Sequence, residues 1–261
     1  MKAGEASETA QRVAARRLSF SRIPAPYGDP AAEERLARDV AGSATAGSNS
    51  PMMGYLAART VFFDRMVVTA LDRGIGQVVI AGAGYDGRAL RYAKPGVHWY
   101  EIDHPDTQRN KRQRLERLAV DTRAITFVEA NFAADDVRTA LLAAGYQPDV
   151  SSLILCEGVA IYLDRFVLES LLHQLRGVVG DASLLCISLA VSSAVQDLST
   201  RRGNFKSAVA AMGEPARTVM TAQDANALFA ATGWRAVTPT GESGAQQPTG
   251  LRDGLVVAIS I

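Results

Sequence analysis

The chain has 261 residues, 48% of them hydrophobic, which is enough to bury a full core in one large domain or two small ones. Its 28 basic and 27 acidic residues leave a formal net charge of +1, so no global field attracts nucleic acid or an anionic membrane. This balance favours a small molecule or a peptide as the partner.

The amino-terminal part of the chain has a helical pattern. Residues 1–41 look helical and charged around a proline-containing loop, and Asp29-Pro30 is a sequence that opens a helix. The segment 42–51 has the composition of a mobile loop. Helical spacing returns over 52–71, with an apolar face that is predicted to pack in the core.

From residue 78 onward, strands and helices alternate. The predicted strands are 78–82, 97–102, 124–129, 152–156 and 183–189, and the predicted helices between them are 86–93, 105–119, 135–144 and 165–178. Alternation of this kind indicates a parallel, doubly wound sheet. Helical segments near 194–212 and 221–232 follow, and then strand-like 235–239 and 255–261, joined by the polar loop 241–254 as an antiparallel addition. We therefore predict a single domain over 1–261, with a helical cap over 1–72 and a core over 73–261.

Two further patterns concern the cellular setting. No run approaches the roughly 18 apolar residues of a membrane span, and the first residues lack the apolar segment of a signal peptide. Cys156 and Cys186 each lie in an apolar β-like run, which favours reduced core cysteines over a disulfide framework. The sequence predicts a soluble, cytoplasmic protein without a signal peptide, and it leaves the oligomeric state open.

An apolar strand runs directly into a glycine-rich turn at residues 77–88, QVVIAGAGYDGR. Gly82 and Gly84, on either side of Ala83, allow a positive φ angle and let a ligand approach the backbone without meeting a Cβ atom. A helix that begins beside such a turn directs N–H groups toward the carboxyl end of the sheet, where cofactors bind. The pattern predicts a nucleotide-type site, and its alternative is an ordinary strand-to-helix connection.

The next predicted strand ends in two acids, Glu101 and Asp103, about twenty residues after the glycines. An acid at this distance can accept hydrogen bonds from ribose hydroxyls, and the alternative is a solvated strand end. A metal cluster with His104 and Asp106 is disfavoured, because four such groups around one strand end do not converge easily.

Four segments in order carry a resemblance to a known family: AGAGYDGRALR, YEIDHPDTQRNK, ANF and LCEGVAIYL. Their order and spacing resemble the leucine carboxyl methyltransferase family, a branch of the class I S-adenosylmethionine-dependent methyltransferases. The resemblance covers the chain from about Ala14 to Leu189. It implies an α/β, Rossmann-like, doubly wound and mostly parallel seven-stranded sheet with an antiparallel last strand, together with an amino-terminal helical cap over the cofactor.

The resemblance also implies a cofactor, S-adenosylmethionine, and residues that bind it. Gly82, Ala83 and Gly84 would pass close to its amino-acid and ribose parts. Asp103, which matches the acid of the family's EID motif, would accept hydrogen bonds from the ribose, and a charge-assisted bond of this kind contributes about 1.5–3 kcal/mol.

Further cofactor contacts are implied on other segments. Asn131 and Phe132 match the pair that holds adenine, with asparagine where the family usually has aspartate, and its amide can accept or donate. Arg59 resembles an arginine that pairs with the cofactor's carboxylate, and its alternative is an exposed helix arginine. Either Arg16 or Arg17 would supply a second basic contact.

The last two implied residues follow the strand 152–156. Glu157 resembles a partner for the cofactor's ammonium group, and Tyr162 sits where the family faces its substrate; either residue could instead be structural. No general base emerges from the pattern, although His104 and His173 are present, and the catalytic residue is unassigned. A carboxylate acceptor is already ionised and needs no base, so this pattern suits carboxyl methylation.

The function predicted is an S-adenosylmethionine-dependent O-methyltransferase that acts on a small molecule, such as a secondary metabolite, or on a carboxylate. One alternative is an NAD(P)-dependent Rossmann oxidoreductase, which would use the same glycine turn and the same acid on the second strand. Another is a non-catalytic cofactor-binding scaffold. The basic residues Arg109, Lys111, Arg112, Arg114 and Arg117 are interpreted as a solvated helix face rather than an RNA-binding surface.

Overall fold

The computed structural model describes residues 7–42, 51–192, 217–237 and 254–261. The predicted helix 194–212, most of the loop 42–51 and nearly all of the loop 241–254 lie outside these ranges. The chain divides into two compact units, residues 1–131 and 132–261. The prediction of one domain over the whole chain stays a prediction.

The first unit combines a three-stranded parallel arrangement with helices. Its helices are α1 (Glu8–Arg17), α2 (Pro30–Ala41), α3 (Pro51–Asp72), α4 (Arg88–Arg91) and α5 (Pro105–Arg117), and its strands are β1 (Gln77–Ala81), β2 (His98–Asp103) and β3 (Ile125–Glu129). β2 pairs with β1 and with β3, and both pairings are parallel. Every residue of β1 is buried, as its continuous apolar run predicts for a parallel strand.

The helix starts of this unit follow from their sequences. Asp29 caps α2, because its side chain accepts a hydrogen bond from the backbone N–H of Ala32 at 3.0 Å, and Pro30 occupies the first turn. The prediction that Asp29-Pro30 opens a helix is therefore confirmed. On α3, Phe62, Phe63 and other members of the predicted apolar face are buried.

The second unit also combines strands with helices. Its helices are α6 (Val137–Ala143), α7 (Arg165–Arg176) and α8 (Ala222–Ala231), with a single 3-10 turn at Ala160–Tyr162. Its strands are β4 (Ser152–Cys156), β5 (Leu184–Ser188), β6 (Val191–Ser192), β7 (Met220–Thr221), β8 (Trp234–Val237) and β9 (Leu255–Ser260). β4 and β5 run parallel, whereas β9 runs antiparallel to both β5 and β8. The predicted antiparallel addition at the end of the chain is confirmed.

Within the described residues, seven strands form one sheet in the order β3-β2-β1-β4-β5-β9-β8, and β6 pairs with β7 apart from it. This mixed sheet, mostly parallel and with an antiparallel last strand, confirms the predicted α/β fold class. Cys156 and Cys186 are free and fully buried, which confirms them as core cysteines, and burial raises the pKa of the Cys156 thiol to about 12. In the same ranges, no helix has the length and apolar character of a membrane span.

Gly180, in the second unit, lies in close contact with the backbone of another loop. A Cβ atom added at this position would collide with the backbone carbonyl of Asp149. At Gly177, a Cβ atom would instead lie 3.5 Å from the nearest heavy atom, the carbonyl oxygen of His173, in ordinary contact. The two glycines are three residues apart, so they form a matched pair for substitution.

We expect Gly180→Ala to lower the free energy of unfolding by about 2–3 kcal/mol, because a backbone segment must move to admit the methyl group. Gly177→Ala should be neutral or stabilising by up to about 1 kcal/mol, since its φ of −70° suits alanine. Urea unfolding of the two variants measures both values. Equal effects would contradict the packing explanation.

Candidate functional site

The glycine turn after β1 is held against the end of β2 by backbone hydrogen bonds. The N–H groups of Gly82 and Ala83 both donate to the carbonyl of Ile102, at 2.9 and 3.0 Å. Gly82 and Gly84 have φ values of +72° and +50°, the left-handed conformation that glycine adopts without steric cost. The positive-φ turn that the sequence predicts is therefore present at the carboxyl end of a parallel strand pair.

The helix after the turn is shorter than predicted. Residues 86–93 were expected to be helical, but α4 covers only Arg88–Arg91. The reason is a reverse turn, in which the N–H of Asp86 donates to the carbonyl of Ala83 at 2.8 Å, so the chain is still turning at that point. The amide donors beside the glycines are accordingly turn amides rather than the first amides of a long helix.

Asp103 stands at the end of β2 and is oriented by two backbone amides, one in the glycine turn and one at the N-cap of α5. One carboxylate oxygen, Oδ2, accepts from the N–H of Gly84 at 2.5 Å, and Oδ1 accepts from the N–H of His104 at 2.6 Å. Burial raises the pKa of Asp103 above its usual value, and the two amides oppose that rise by favouring the charged form. Each carboxylate oxygen has a further lone pair, so the pair can accept from two neighbouring hydroxyl groups.

Glu101, the other acid of this strand, has a different environment. It is fully buried, and its Oε2 lies 2.5 Å from Nζ of Lys111, which is also buried. Burial raises the pKa of Glu101, while Lys111 lowers it in part. The interpretation of Glu101 as a solvated strand end is therefore wrong, because the side chain is buried in an internal ion pair.

The same pair corrects the interpretation of the basic helix α5. Arg109, Arg112 and Arg117 are exposed, as a solvated face requires, but Lys111 points into the interior. Its ammonium group donates to the carbonyl of Asp86 at 2.6 Å as well as to Glu101. The helical spacing of α5 alone would have indicated this, because Lys111 lies four residues before the buried Leu115.

The amino-terminal helix α1 packs directly on the glycine turn. A Cβ atom at Gly84 would lie 2.9 Å from the Cβ atom of Ala10, a separation that side chains do not tolerate. At the start of the helix, the N–H of Ser7 donates to Oγ1 of Thr107 in α5 at 3.2 Å. The predicted helical cap is present in the first unit, and Gly84 is required for its close approach.

Buried ion pairs connect α1, α2 and α3 to the turn. Arg88 joins Asp86 at 2.6 Å and Asp64 at 2.7 Å, and both of its contacts are buried. Arg22 joins Asp64 and Glu33, each at 2.6 Å. The members of this network are Arg17, Arg22, Arg88 and Arg91 with Glu33, Asp64 and Asp86.

The sequence interpretation did not identify this network. The signal that could have indicated it is the charged pair Asp86 and Arg88, placed immediately after the glycines in an otherwise apolar region. Burial opposes ionisation of Asp64, but Arg88 and Arg22 outweigh that effect and hold its pKa below the usual value.

The structure decides which amino-terminal arginine faces the turn. Arg17 is buried, and its Nη2 lies 3.3 Å from Oδ2 of Asp86, whereas Arg16 is half-buried. Arg59 on α3 is buried beside the ring of Tyr55, with its guanidinium carbon 5.7 Å from the ring centre. The alternative of an exposed helix arginine is therefore wrong for Arg59, and its cofactor contact stays a prediction.

Asn131 is the last residue of the first unit. The N–H of Ala130, one residue earlier, donates to the backbone carbonyl of Asp103 at 2.9 Å. His104 caps α5, since its Nδ1 accepts from the N–H of Asp106 at 3.3 Å. In the described ranges, no group of three or more His, Cys, Asp or Glu side chains could hold a metal ion.

The remaining predicted residues belong to the second unit. Phe132 is half-buried at its start, Glu157 is half-buried directly after β4, and Tyr162 is half-buried in the 3-10 turn. His173 is exposed on α7. The functional roles of Phe132, Glu157 and Tyr162 stay predictions.

A family model described as leucine carboxyl methyltransferase matches residues 10–176 of the chain. The chain belongs to the leucine carboxyl methyltransferase family. The match includes the glycine turn, Asp103 and the buried network, and it confirms the resemblance stated from the sequence motifs.

Two relatives carry the same printed name, "Putative S-adenosyl-L-methionine-dependent methyltransferase". One, from Mycobacterium avium, is 35% identical over 176 residues, which cover 67% of this chain and 55% of the relative. The other, from Mycobacterium ulcerans, is 34% identical over 137 residues, which cover 52% and 44%. The chain thus spans about half the length of the curated relatives it matches.

Solved structures share the fold. A "putative methyltransferase" from Thermobifida fusca YX aligns with a TM-score of 0.61 and 15% identity, covering 96% of this chain and 94% of that chain. A magnesium protoporphyrin IX methyltransferase from Synechocystis PCC 6803 with bound SAH aligns with a TM-score of 0.53 and 14% identity, covering 87% and 100%. At these identities the likeness shows the class I methyltransferase fold.

The contact between α1 and the turn can be tested by a double-mutant cycle. Gly84→Ala should lower the free energy of unfolding by about 1–3 kcal/mol, because the new methyl group meets Ala10. Ala10→Gly removes the opposing methyl group, so the double variant should be more stable than the sum of the single effects by at least about 0.5 kcal/mol. Urea unfolding measures the cycle, and strict additivity would show that the two residues do not meet.

The depressed pKa of Asp64 gives a second prediction, with a defined sign. Asp64→Asn should lower the free energy of unfolding by about 3–5 kcal/mol, because it leaves buried arginines without their carboxylate. A carboxyl whose folded pKa is lowered stabilises above its unfolded pKa and loses that contribution as the pH falls through the folded value. The difference from the unmodified protein should therefore be constant from pH 7 to pH 5 and shrink only below about pH 4.

Urea unfolding as a function of pH measures this difference. Asp72→Asn is the matched control, since Asp72 lies on the same helix with a side chain that is 57% exposed, and it should change stability by less than about 1 kcal/mol. A difference for Asp64→Asn that already shrinks between pH 7 and pH 5 would mean that the direction of the pKa shift is wrong.

Proposed function

We propose that this chain is an S-adenosylmethionine-dependent O-methyltransferase whose acceptor is a small molecule or a carboxylate. The observation that carries the proposal is the orientation of Asp103 by the amides of Gly84 and His104 at the carboxyl end of β2. Membership of the leucine carboxyl methyltransferase family and the names of the relatives support the same activity.

The residues of the turn fit the ribose of this cofactor. A carboxylate with both oxygens already fixed by backbone amides loses little side-chain entropy when it accepts two hydroxyl groups. Gly82 and Gly84 give the turn its positive φ angles without a Cβ atom, and α1 covers Gly84. We assign Asp103 to the ribose, and the three turn residues, including Ala83, to its surroundings.

The other assignments are carried over from the resemblance. In the first unit, Arg59 would pair with the carboxylate of the cofactor, and Asn131 would bind the adenine. In the second unit, Phe132 would contact the adenine, Glu157 the ammonium group, and Tyr162 the methyl acceptor. A buried arginine suits the first role, because a guanidinium fork matches a carboxylate in two parallel hydrogen bonds.

The chemistry requires position more than proton transfer. When bound, the cofactor supplies a sulfonium methyl group that an in-line nucleophile accepts, and the positive charge is lost in the transfer. The protein therefore has to align the acceptor and exclude water, and the packing of α1 on the turn suits the second task. A carboxylate acceptor is ionised at neutral pH and needs no general base, which is why we include it beside hydroxyl acceptors.

Calorimetric titration with S-adenosylmethionine, S-adenosylhomocysteine, NAD and NADP tests the cofactor. We expect micromolar binding of the two adenosyl compounds alone. Binding of a nicotinamide compound would support an oxidoreductase. Binding of the adenosyl compounds without methyl transfer to any acceptor would support the alternative of a non-catalytic cofactor-binding scaffold.

The role of Asp103 is tested by Asp103→Ala and Asp103→Asn. Both should weaken S-adenosylmethionine binding at least tenfold, about 1.4 kcal/mol, because the ribose loses one or both charge-assisted acceptors. Glu129→Gln is the matched control, since Glu129 holds the paired position at the end of β3 and is exposed, and its affinity should change less than about twofold. Unchanged affinity in a folded Asp103 variant would remove this residue from the site.

A further inference from the structure

Asp86 fixes the second half of the glycine turn through every polar group that it has. Its N–H donates to the carbonyl of Ala83 at 2.8 Å, and its carbonyl accepts from Nζ of Lys111 at 2.6 Å. The carboxylate accepts from the backbone N–H of Arg88 at 2.9 Å and from its Nη1 at 2.6 Å. Since the side chain is 4% exposed, these bonds are made in a medium that strengthens them.

The turn that Asp86 fixes is the one that orients Asp103. Gly84 lies between Ala83 and Asp86, and its N–H donates to Oδ2 of Asp103. A shift of Asp86 therefore moves the amide that aims the proposed ribose-binding carboxylate. Asp86 itself does not need to contact the cofactor to have this effect.

Asp86 is also the attachment point of α1. Nη2 of Arg17, in the last turn of α1, lies 3.3 Å from Oδ2 of Asp86, and the two side chains are 8% and 4% exposed. Nearer the start of the same helix, Ala10 packs against Gly84, and the N–H of Ser7 donates to Thr107. Contacts near the start of the helix and at its last residue thus hold it over the turn.

We infer that Asp86 is a positioning residue for the cofactor turn and that its ion pair with Arg17 couples the docking of α1 to cofactor affinity. This inference rests on the proposed function, because the coupling is defined by the binding of an adenosyl compound. A purely structural role would instead change the stability of the protein and leave the affinity of the folded fraction unaltered.

A double-mutant cycle separates these roles. Arg17→Met and Asp86→Asn each remove the ion pair, and calorimetric titration with S-adenosylhomocysteine measures the affinity of each variant and of their combination. We expect Arg17→Met to weaken binding about tenfold and Asp86→Asn to weaken it more. The double variant should bind within twofold of Asp86→Asn, since the pair can be lost only once.

Two further variants serve as controls. Arg12→Met removes an exposed ion pair with Glu8 on the same helix, so it tests a general loss of α1 stability, and its affinity should stay within twofold. Arg17→Lys keeps the positive charge and should recover part of the affinity lost in Arg17→Met. Additive effects in the cycle, or equal effects of Arg17→Met and Arg12→Met, would overturn the inference.

Amide hydrogen exchange without ligand provides a readout that is independent of the cofactor. Arg17→Met should speed exchange over Glu8–Arg17 and at Gly84 at least tenfold, and Arg12→Met should leave Gly84 unchanged. If the unmodified protein binds no adenosyl compound, the proposed function and the affinity coupling both fail. The exchange rates then still show whether Arg17 holds α1 on the turn. Equal rates in Arg17→Met and Arg12→Met would contradict that structural role as well.

Discussion

The first unit of this protein depends on ion pairs between buried charged side chains. Removing ions from water costs several kcal/mol for each ion, and only complete pairing with good geometry offsets that cost. Arg88 meets this requirement by joining Asp64 and Asp86, and Arg22 meets it by joining Asp64 and Glu33. Because the partners come from different helices and from the turn, the glycine turn and the helices around it must assemble together.

This constraint also explains how the proposed cofactor site can be preorganised in the absence of a ligand. Asp103 is oriented by the amides of Gly84 and His104, and the amide of Gly84 belongs to a turn that Asp86 connects to the buried ion pairs. The proposed binding group is therefore aimed before a cofactor arrives. Preorganisation of this kind increases affinity by lowering the entropic cost of binding.

Much of the fold could be predicted from the sequence, and the elements that were predicted wrongly have physical explanations. The strand 152–156 was predicted with its observed bounds, and others within a residue or two, because continuous apolar runs identify buried parallel strands. The helix at 86–93 was overestimated, since its pattern does not reveal the turn that ends at Asp86. For the proposed site, the spacing indicates Gly84 and Asp103, and their contacts with a cofactor stay predictions. The ion pair of Arg17 with Asp86 could not be predicted in this way, because the two residues are distant in sequence, whereas the burial of Lys111 was detectable from its helical spacing to Leu115.

The ion pairs around Asp86 limit how this part of the protein can evolve. A single substitution that removes one charge leaves the other charge buried without a partner, which costs a large desolvation free energy. Replacement of both charged residues by apolar side chains of similar volume avoids this cost. Arg17, Arg88 and Asp86 should therefore change together across the family, even though Arg17 and Asp86 lie far apart along the chain. Covariation of an amino-terminal arginine with an acid beside the glycine turn would indicate that an ion pair holds α1 on the turn in other members of the family.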